Sequence, residues 1–250
     1  MQLLDYKILA FATSVKLYRR NSCIYTLENK KEFCKQIGLS YNTFKKYFEY
    51  CKQKGLFNET QGAYQFKKIN EVASLLNIDI KHIEYFKWSS YEKPSVNAIY
   101  NKIVDGVVLL NFKQQQFRID KKKKELSKVE KIQNRKKTHP AVVKSVVKKY
   151  GSVVKAKNSI CRNFTPQIVS GKRHVANIVG CSNATGINIL KRLVKQKLIT
   201  REIKFEKLNL PYSHLGYDQA KTKKGIIVCS PKLQTLFLSL GSIICLLGQG

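Results

Sequence analysis

Phe33-Cys34-Lys35-Gln36-Ile37-Gly38-Leu39-Ser40-Tyr41-Asn42-Thr43-Phe44 and, further along, Val175-Ala176-Asn177-Ile178-Val179-Gly180-Cys181-Ser182-Asn183-Ala184-Thr185-Gly186 share one pattern. Both run apolar, small, two variable positions, apolar, Gly, apolar, Ser, two variable positions, Thr. Each position has a physical reason. A small residue (Cys34, Ala176) lets a second helix cross closely. Gly38 and Gly180 take a left-handed turn at no steric cost. Leu39 and Cys181 plug the turn into the core. Ser40 and Ser182 cap the free N–H groups of the next helix.

Outward from these stretches, the flanking elements repeat in the same order. In the first copy, residues 3–18 carry a helical apolar spacing, Cys23–Leu27 reads as a short strand, and a helix is predicted over 29–37. After Ser40 a second helix runs over 41–54 and ends at Gly55. Leu56-Phe57 and Tyr64-Gln65-Phe66 then flank a hairpin turn. In the second copy, His139-Pro140 opens a helix, Phe164–Val169 reads as an edge strand, and Ser170 is the expected cap of a helix to Val179. Asn183–Lys197 forms the next helix, Leu198–Phe205 a strand, and Gly225–Cys229 a second strand beyond a long excursion. Gly186 lies inside its helix, at a cost of ~1 kcal/mol against Ala.

These two segments resemble the helix-turn-helix core of winged-helix DNA-binding proteins, over residues 3–67 and 139–229. The resemblance implies a mainly α fold with small β-hairpins (α+β). It comprises two winged-helix domains, 1–68 and 139–250, joined by a connecting region, 69–138, with a basic helical linker. In that family the helix after the turn enters the major groove, N-terminal end first. The implied DNA-contacting set in the first copy is Ser40, Tyr41, Asn42, Thr43, Lys45 and Lys46. In the second it is Arg173, Ser182, Asn183, Ala184, Ile187, Asn188, Lys191 and Arg192, with Lys221, Lys223 and Lys224 in its wing. Asn42 suits adenine and the lysines guanine or phosphate. Ile187 suits either thymine methyls or a helix–helix contact. The Thr43 and Thr185 hydroxyls fit local structure better than DNA contacts. The paired architecture is also similar to that of plasmid replication initiators.

The charge agrees with a polyanionic partner. Among 250 residues, Lys+Arg number 47 and Asp+Glu 16, a net charge of +31. Such an excess repels itself unless it meets a polyanion or salt. Nucleic acid is the first reading and an anionic membrane surface the second. Lys outnumbers Arg 39 to 8, so phosphate neutralisation is better served than bidentate guanine readout. The densest stretch, 113–157, holds sixteen Lys/Arg against three acids. It reads either as a solvated helix or linker or as a phosphate-tracking arm. Pro94 is placed at the first position of the helix that precedes it. Tyr85, Phe86, Trp88 and Tyr91 read as core or as a base-stacking cluster.

Other function classes lack their motifs. There is no Gly-x-x-x-x-Gly-Lys-Ser/Thr loop, no His-Glu-x-x-His and no His-x-His pair, and the five Asp are scattered. An enzyme is not expected, nor a cofactor or metal. Seven cysteines without a Cys-x-x-Cys pair fit reduced, buried thiols. The N-terminus does not read as a signal peptide, and the longest apolar run, Leu236–Leu247, is too short for a bilayer-spanning helix. That run is expected to be helical, as a dimer helix or as a last core helix. Double-stranded DNA is the expected partner, with a homodimer left open and no membrane. The expected compartment is the cytoplasm, nucleoid-associated or in a viral host. The alternative is a basic packaging protein whose winged helices make protein contacts.

Overall fold

A computed structural model describes residues 3–19, 30–60, 63–78, 93–134, 139–162, 167–208, 226–230 and 235–246. The fold is mainly helical with small antiparallel sheets. The chain divides into two compact units, Met1–Leu110 with Lys172–Lys191, and Asn111–Gly171 with Arg192–Gly250.

The first unit is built on α1 (Leu3–Arg19). The expected helical spacing is there, and every residue from Ile8 to Val15 is buried. A helix apolar on all sides becomes a central helix rather than a surface one. Two of its buried hydroxyls bond backbone carbonyls: Thr13 donates to the Leu9 carbonyl at 2.8 Å and Ser14 to the Pro94 carbonyl at 3.1 Å. Then come α2 (Lys30–Gln36), α3 (Tyr41–Gln53), the hairpin β1 (Phe57–Thr60) and β2 (Ala63–Phe66), and α4 (Ile69–Leu75). The hairpin pairs Phe57 with Phe66 and Thr60 with Ala63. Phe11 is fully buried, edge-on to Phe44, Tyr47 and Phe66 at centroid distances of 5.5, 5.7 and 5.7 Å. That cluster fastens α3 and the hairpin to α1.

Helix α5 (Val96–Gln133) runs 38 residues through Gly106 and the lysine run without a break. Pro94 is not its first residue. Instead the Ser95 hydroxyl accepts from the Ala98 N–H at 3.2 Å, so the proline stands just outside the cap. Cys23–Leu27 and the aromatic segment around Trp88 lie outside the described residues.

In the second unit, α6 (Pro140–Tyr150) begins with Pro140 at its first turn and His139 Nδ1 accepting from Ala141 N–H. It is followed by α7 (Val153–Cys161), whose Ala156 and Ile160 pack with Val146 of α6 and Val129 of α5. Glu125 of α5 accepts from Lys149 Nζ at 2.8 Å and from the Tyr150 hydroxyl at 2.9 Å. These donors, Lys149 first, hold the Glu125 carboxyl below its ordinary pKa although burial opposes them. A depressed carboxylate stabilises the fold above its unfolded pKa, and that stability is lost as pH falls through the folded pKa. The side chains of Lys149 and Glu125 are 58% and 28% exposed, so solvent screening keeps the gain small. Glu125→Gln should therefore lower stability slightly at pH 7, and the difference from the parent should vanish near the acid end of an unfolding series. A gap that stays constant with pH would show that the pair does not titrate as described.

After β3 (Ile168–Val169) come α8 (Lys172–Val179) and α9 (Asn183–Lys195), then β4 (Ile199–Leu208), β5 (Ile226–Ser230) and β6 (Thr235–Leu246). Two expectations are corrected here. The apolar run at 236–247 is not a helix but the central strand β6. It pairs with β4 from Ile199↔Leu246 to Leu208↔Leu236, and on its other edge with β5 and then β3, where Ile168 faces Ile244. A mostly apolar run of this length has no period that separates strand from helix, so its spacing gave no sign of the strand. Accordingly β5 pairs with β6, not with β4. Ser170 does not cap α8 either: its hydroxyl is buried and finds no hydrogen-bond partner among the described residues.

Candidate nucleic-acid interface

The two quoted stretches fold alike, 142 positions apart from Ser40 to Ser182. Gly38 has φ 71° and Gly180 φ 74°. The next N–H reaches back to the small residue of the preceding helix, Leu39 to the Cys34 carbonyl at 2.8 Å and Cys181 to the Ala176 carbonyl at 2.9 Å. Ser40 Oγ accepts from Thr43 N–H, and Ser182 Oγ from Thr185 N–H, both at 3.2 Å. The hydroxyls also meet, Ser40 with Thr43 at 2.8 Å and Ser182 with Thr185 at 3.0 Å. Ser40, Thr43, Ser182 and Thr185 therefore hold the start of each helix. The register persists to the far end. Gly55 and Lys197 both turn left-handed, with φ 62° and 56°. Leu56 N–H then bonds the Cys51 carbonyl, and Leu198 N–H the Leu193 carbonyl, each at 3.0 Å.

On α3 the outward residues are Asn42, Lys45, Lys46 and Glu49; Tyr41 is half-buried. Lys45 Nζ stands 5.2 Å over the Tyr41 ring, so the ring holds one cation near the helix start. On α9, Asn183, Ala184, Asn188 and Lys191 are exposed, whereas Ile187 and Arg192 are half-buried. Arg173 is exposed on α8. The half-burial of Ile187 suits the helix-contact reading as much as the thymine one. Lys221, Lys223 and Lys224 lie outside the described residues.

The structure brings in residues that the sequence did not single out. A cleft of about 320 Å³ opens between the start of α2, α3 and β2, lined by Lys30, Tyr41, Phe44, Lys45, Phe48, Glu49 and Tyr64. Its floor is aromatic, with Phe48 against Phe57 and Tyr64 at 5.1 and 5.2 Å. Lys52 Nζ lies 4.8 Å over the Tyr64 ring. The helical spacing of Tyr41, Lys45, Phe48 and Glu49 could have disclosed one wall; Lys30 and Tyr64 come from elsewhere in the chain. Glu49 beside two lysines suits the amino edge of a base and disfavours a bare phosphate.

The Tyr50 hydroxyl donates to Asp5 at 2.8 Å, and burial together with that bond pushes its pKa up to about 12. This contact anchors α3 to α1 from behind the outward face. Cys34 and Cys51 are buried and their thiols are pushed up by burial. Cys181 is half-buried, while Cys161 is exposed, unlike the buried thiols expected. Among the described residues no group of His, Cys, Asp and Glu is placed to hold a metal, and no helix is long and apolar enough to cross a membrane. Compared with known proteins, the chain matches no family model, no curated protein and no solved structure.

Proposed function

We propose that this chain is a non-enzymatic protein that binds double-stranded DNA through two winged helix-turn-helix units. The observation that carries the reading is the repeated turn. The same left-handed glycine, serine cap and back-bonded N–H recur in one register, each followed by antiparallel strands, in a chain of net charge +31. A turn of this kind presents the N-terminal end of the second helix, where free N–H groups and the helix dipole favour an anion. Asn42, Lys45 and Lys46 on α3, and Asn183, Asn188 and Lys191 on α9, then reach the groove. Asn42 reads adenine, while the lysines neutralise phosphates and release counterions. The role that fits best is replication initiation for a phage, plasmid or other mobile element, with transcriptional regulation next. Two DNA-reading heads in one chain favour the first.

One observation favours a second reading. The outward face of α9 carries Ala184 and Ile187 where α3 has Asn42 and Lys45, so α9 suits a protein contact. A packaging protein would combine that contact with generic condensation of nucleic acid.

Sequence discrimination separates the two. Duplexes selected from a random library at about 150 mM salt, near physiological ionic strength, should yield an enriched motif. The variant with Asn42→Ala and Lys45→Ala should lose part of it, by ~1–3 kcal/mol of discrimination for each direct base contact removed. Uniform recovery without a motif would sink specific reading and leave the packaging role.

A further inference from the structure

Beyond Leu110, α5 carries a stripe of its own. Lys113, Phe117, Lys121, Lys124, Lys128 and Lys131 are all exposed and follow one another at spacings of three or four, which puts them on one helix face. The stripe runs ~27 Å at 1.5 Å per residue. The other side of the helix is taken, since Leu126, Val129 and Ile132 pack with Val146, Ala156 and Ile160 of α6 and α7. Phe117 stands between Lys113 and Lys121, 70% exposed. Lysines alone would be a solvated face. A phenyl ring left in water among them forgoes one of the largest burial gains a side chain can have, a gain that a partner both anionic and able to offer an apolar face would restore.

We propose that this stripe binds single-stranded nucleic acid, with the lysines following the phosphates and Phe117 stacking on an unpaired base. Charge complementarity selects a polyanion. The ring then selects the strand over the duplex, because a duplex turns its phosphates outward and keeps the faces of its bases stacked inside. A ring on a convex helix reaches bases only where they are splayed out, and ring-on-base stacking tolerates any sequence. The site belongs to the second unit and does not use α3, so it stands whether or not the duplex reading does.

The test uses the full chain and two labelled probes. One is a deoxythymidine strand about 20 nucleotides long, longer than the usual ~4–16-nucleotide footprint, with one 2-aminopurine; the other is a duplex of equal length. Binding of the strand should change the 2-aminopurine emission. Phe117→Ala should weaken strand binding about five-fold or more and abolish the emission change, with duplex affinity and thermal unfolding unmoved. Phe117→Tyr should restore both. Lys121→Gln with Lys124→Gln should flatten the salt slope for the strand by about 1.4. The proposal is overturned if Phe117→Ala leaves strand binding intact. It is overturned too if the variant weakens the duplex as much, as a wedge between base pairs would, or shifts the sedimentation of the free protein, as a contact between two copies would. Asn42→Ala with Lys45→Ala should spare strand binding. Loss of motif selection in that variant with the strand still bound separates the two sites, and a chain that selects no motif yet quenches through Phe117 would sink only the duplex reading.

Discussion

Phe11→Ala should destabilise the first unit by ~3–5 kcal/mol, the range for removing a large aromatic ring from a packed interior. The expectation rests on where the ring sits. Phe11 is fully buried on the all-apolar stretch of α1 and touches three rings at once: Phe44 and Tyr47 of α3, and Phe66 of β2. The phenyl void could close only if α3 and the hairpin moved together. A loss of this size is a large share of the ~5–15 kcal/mol that holds an ordinary domain folded. The measurement is hydrogen exchange of peptides from α1, α3 and the hairpin, with α6 and α7 as reference, because the chain has two units and a single unfolding midpoint would mix them. Exchange should rise by orders of magnitude in the first set. A change equivalent to less than ~1 kcal/mol, below any buried aromatic truncation, would mean that the ring cluster is not the centre of the unit. The variant also bears on function, since α3 would keep its sequence and lose its seat.

How much of this was legible depended on distance along the chain. The turn and cap were readable because every bond that makes them falls within a few residues: glycine to the helix before it, serine to the N–H three positions on. The hairpin was readable for the same reason, with partners from Phe57 to Phe66 close in sequence. The burial of α1 on all sides was less so. Thr13 and Ser14 look like a polar face, and the carbonyl that satisfies Ser14 belongs to Pro94, eighty residues away. Strand β6 was misread because a 12-residue apolar run has no period that separates helix from strand. What decides it is pairing with Ile168 and Ile199, far back in the chain. Helix α5 was legible in part as a helical linker, and it runs unbroken through Gly106 and the lysine run because lysine is a good helix former and one glycine costs only ~1 kcal/mol. The outward residues of α3 followed from helical spacing once its start was fixed. The cleft beside them did not, because Lys30 and Tyr64 arrive from α2 and β2.

Gly186 is where a local rule and the packing disagree in sign. Propensity alone says that Gly186→Ala should stabilise α9 by ~1 kcal/mol. The crossing says otherwise. A Cβ at Gly186 would lie 2.5 Å from the Lys172 carbonyl oxygen and 3.2 Å from the Ala176 nitrogen. Both are backbone atoms of α8, and neither can swing aside as a long side chain would. The glycine is therefore what lets α8 and α9 touch, and the small Ala176 beside it serves the same approach. In the first copy the matching position is Phe44, whose ring is buried against Phe11 and Phe33; there a side chain fills the space between the helices instead. Forcing a methyl into a closed crossing costs ~1–3 kcal/mol or more, and contact with a carbonyl puts it at the upper end. After the propensity gain, Gly186→Ala should lose ~2 kcal/mol net. Asn188→Ala, exposed on the same helix, isolates the propensity part and should gain a few tenths of a kcal/mol at most. Urea unfolding followed by exchange in α8 and α9 peptides measures both. If Gly186→Ala were the stabilising change of the two, the helices would not cross as closely as described, and the turn beside them would be free to present α9 at another angle.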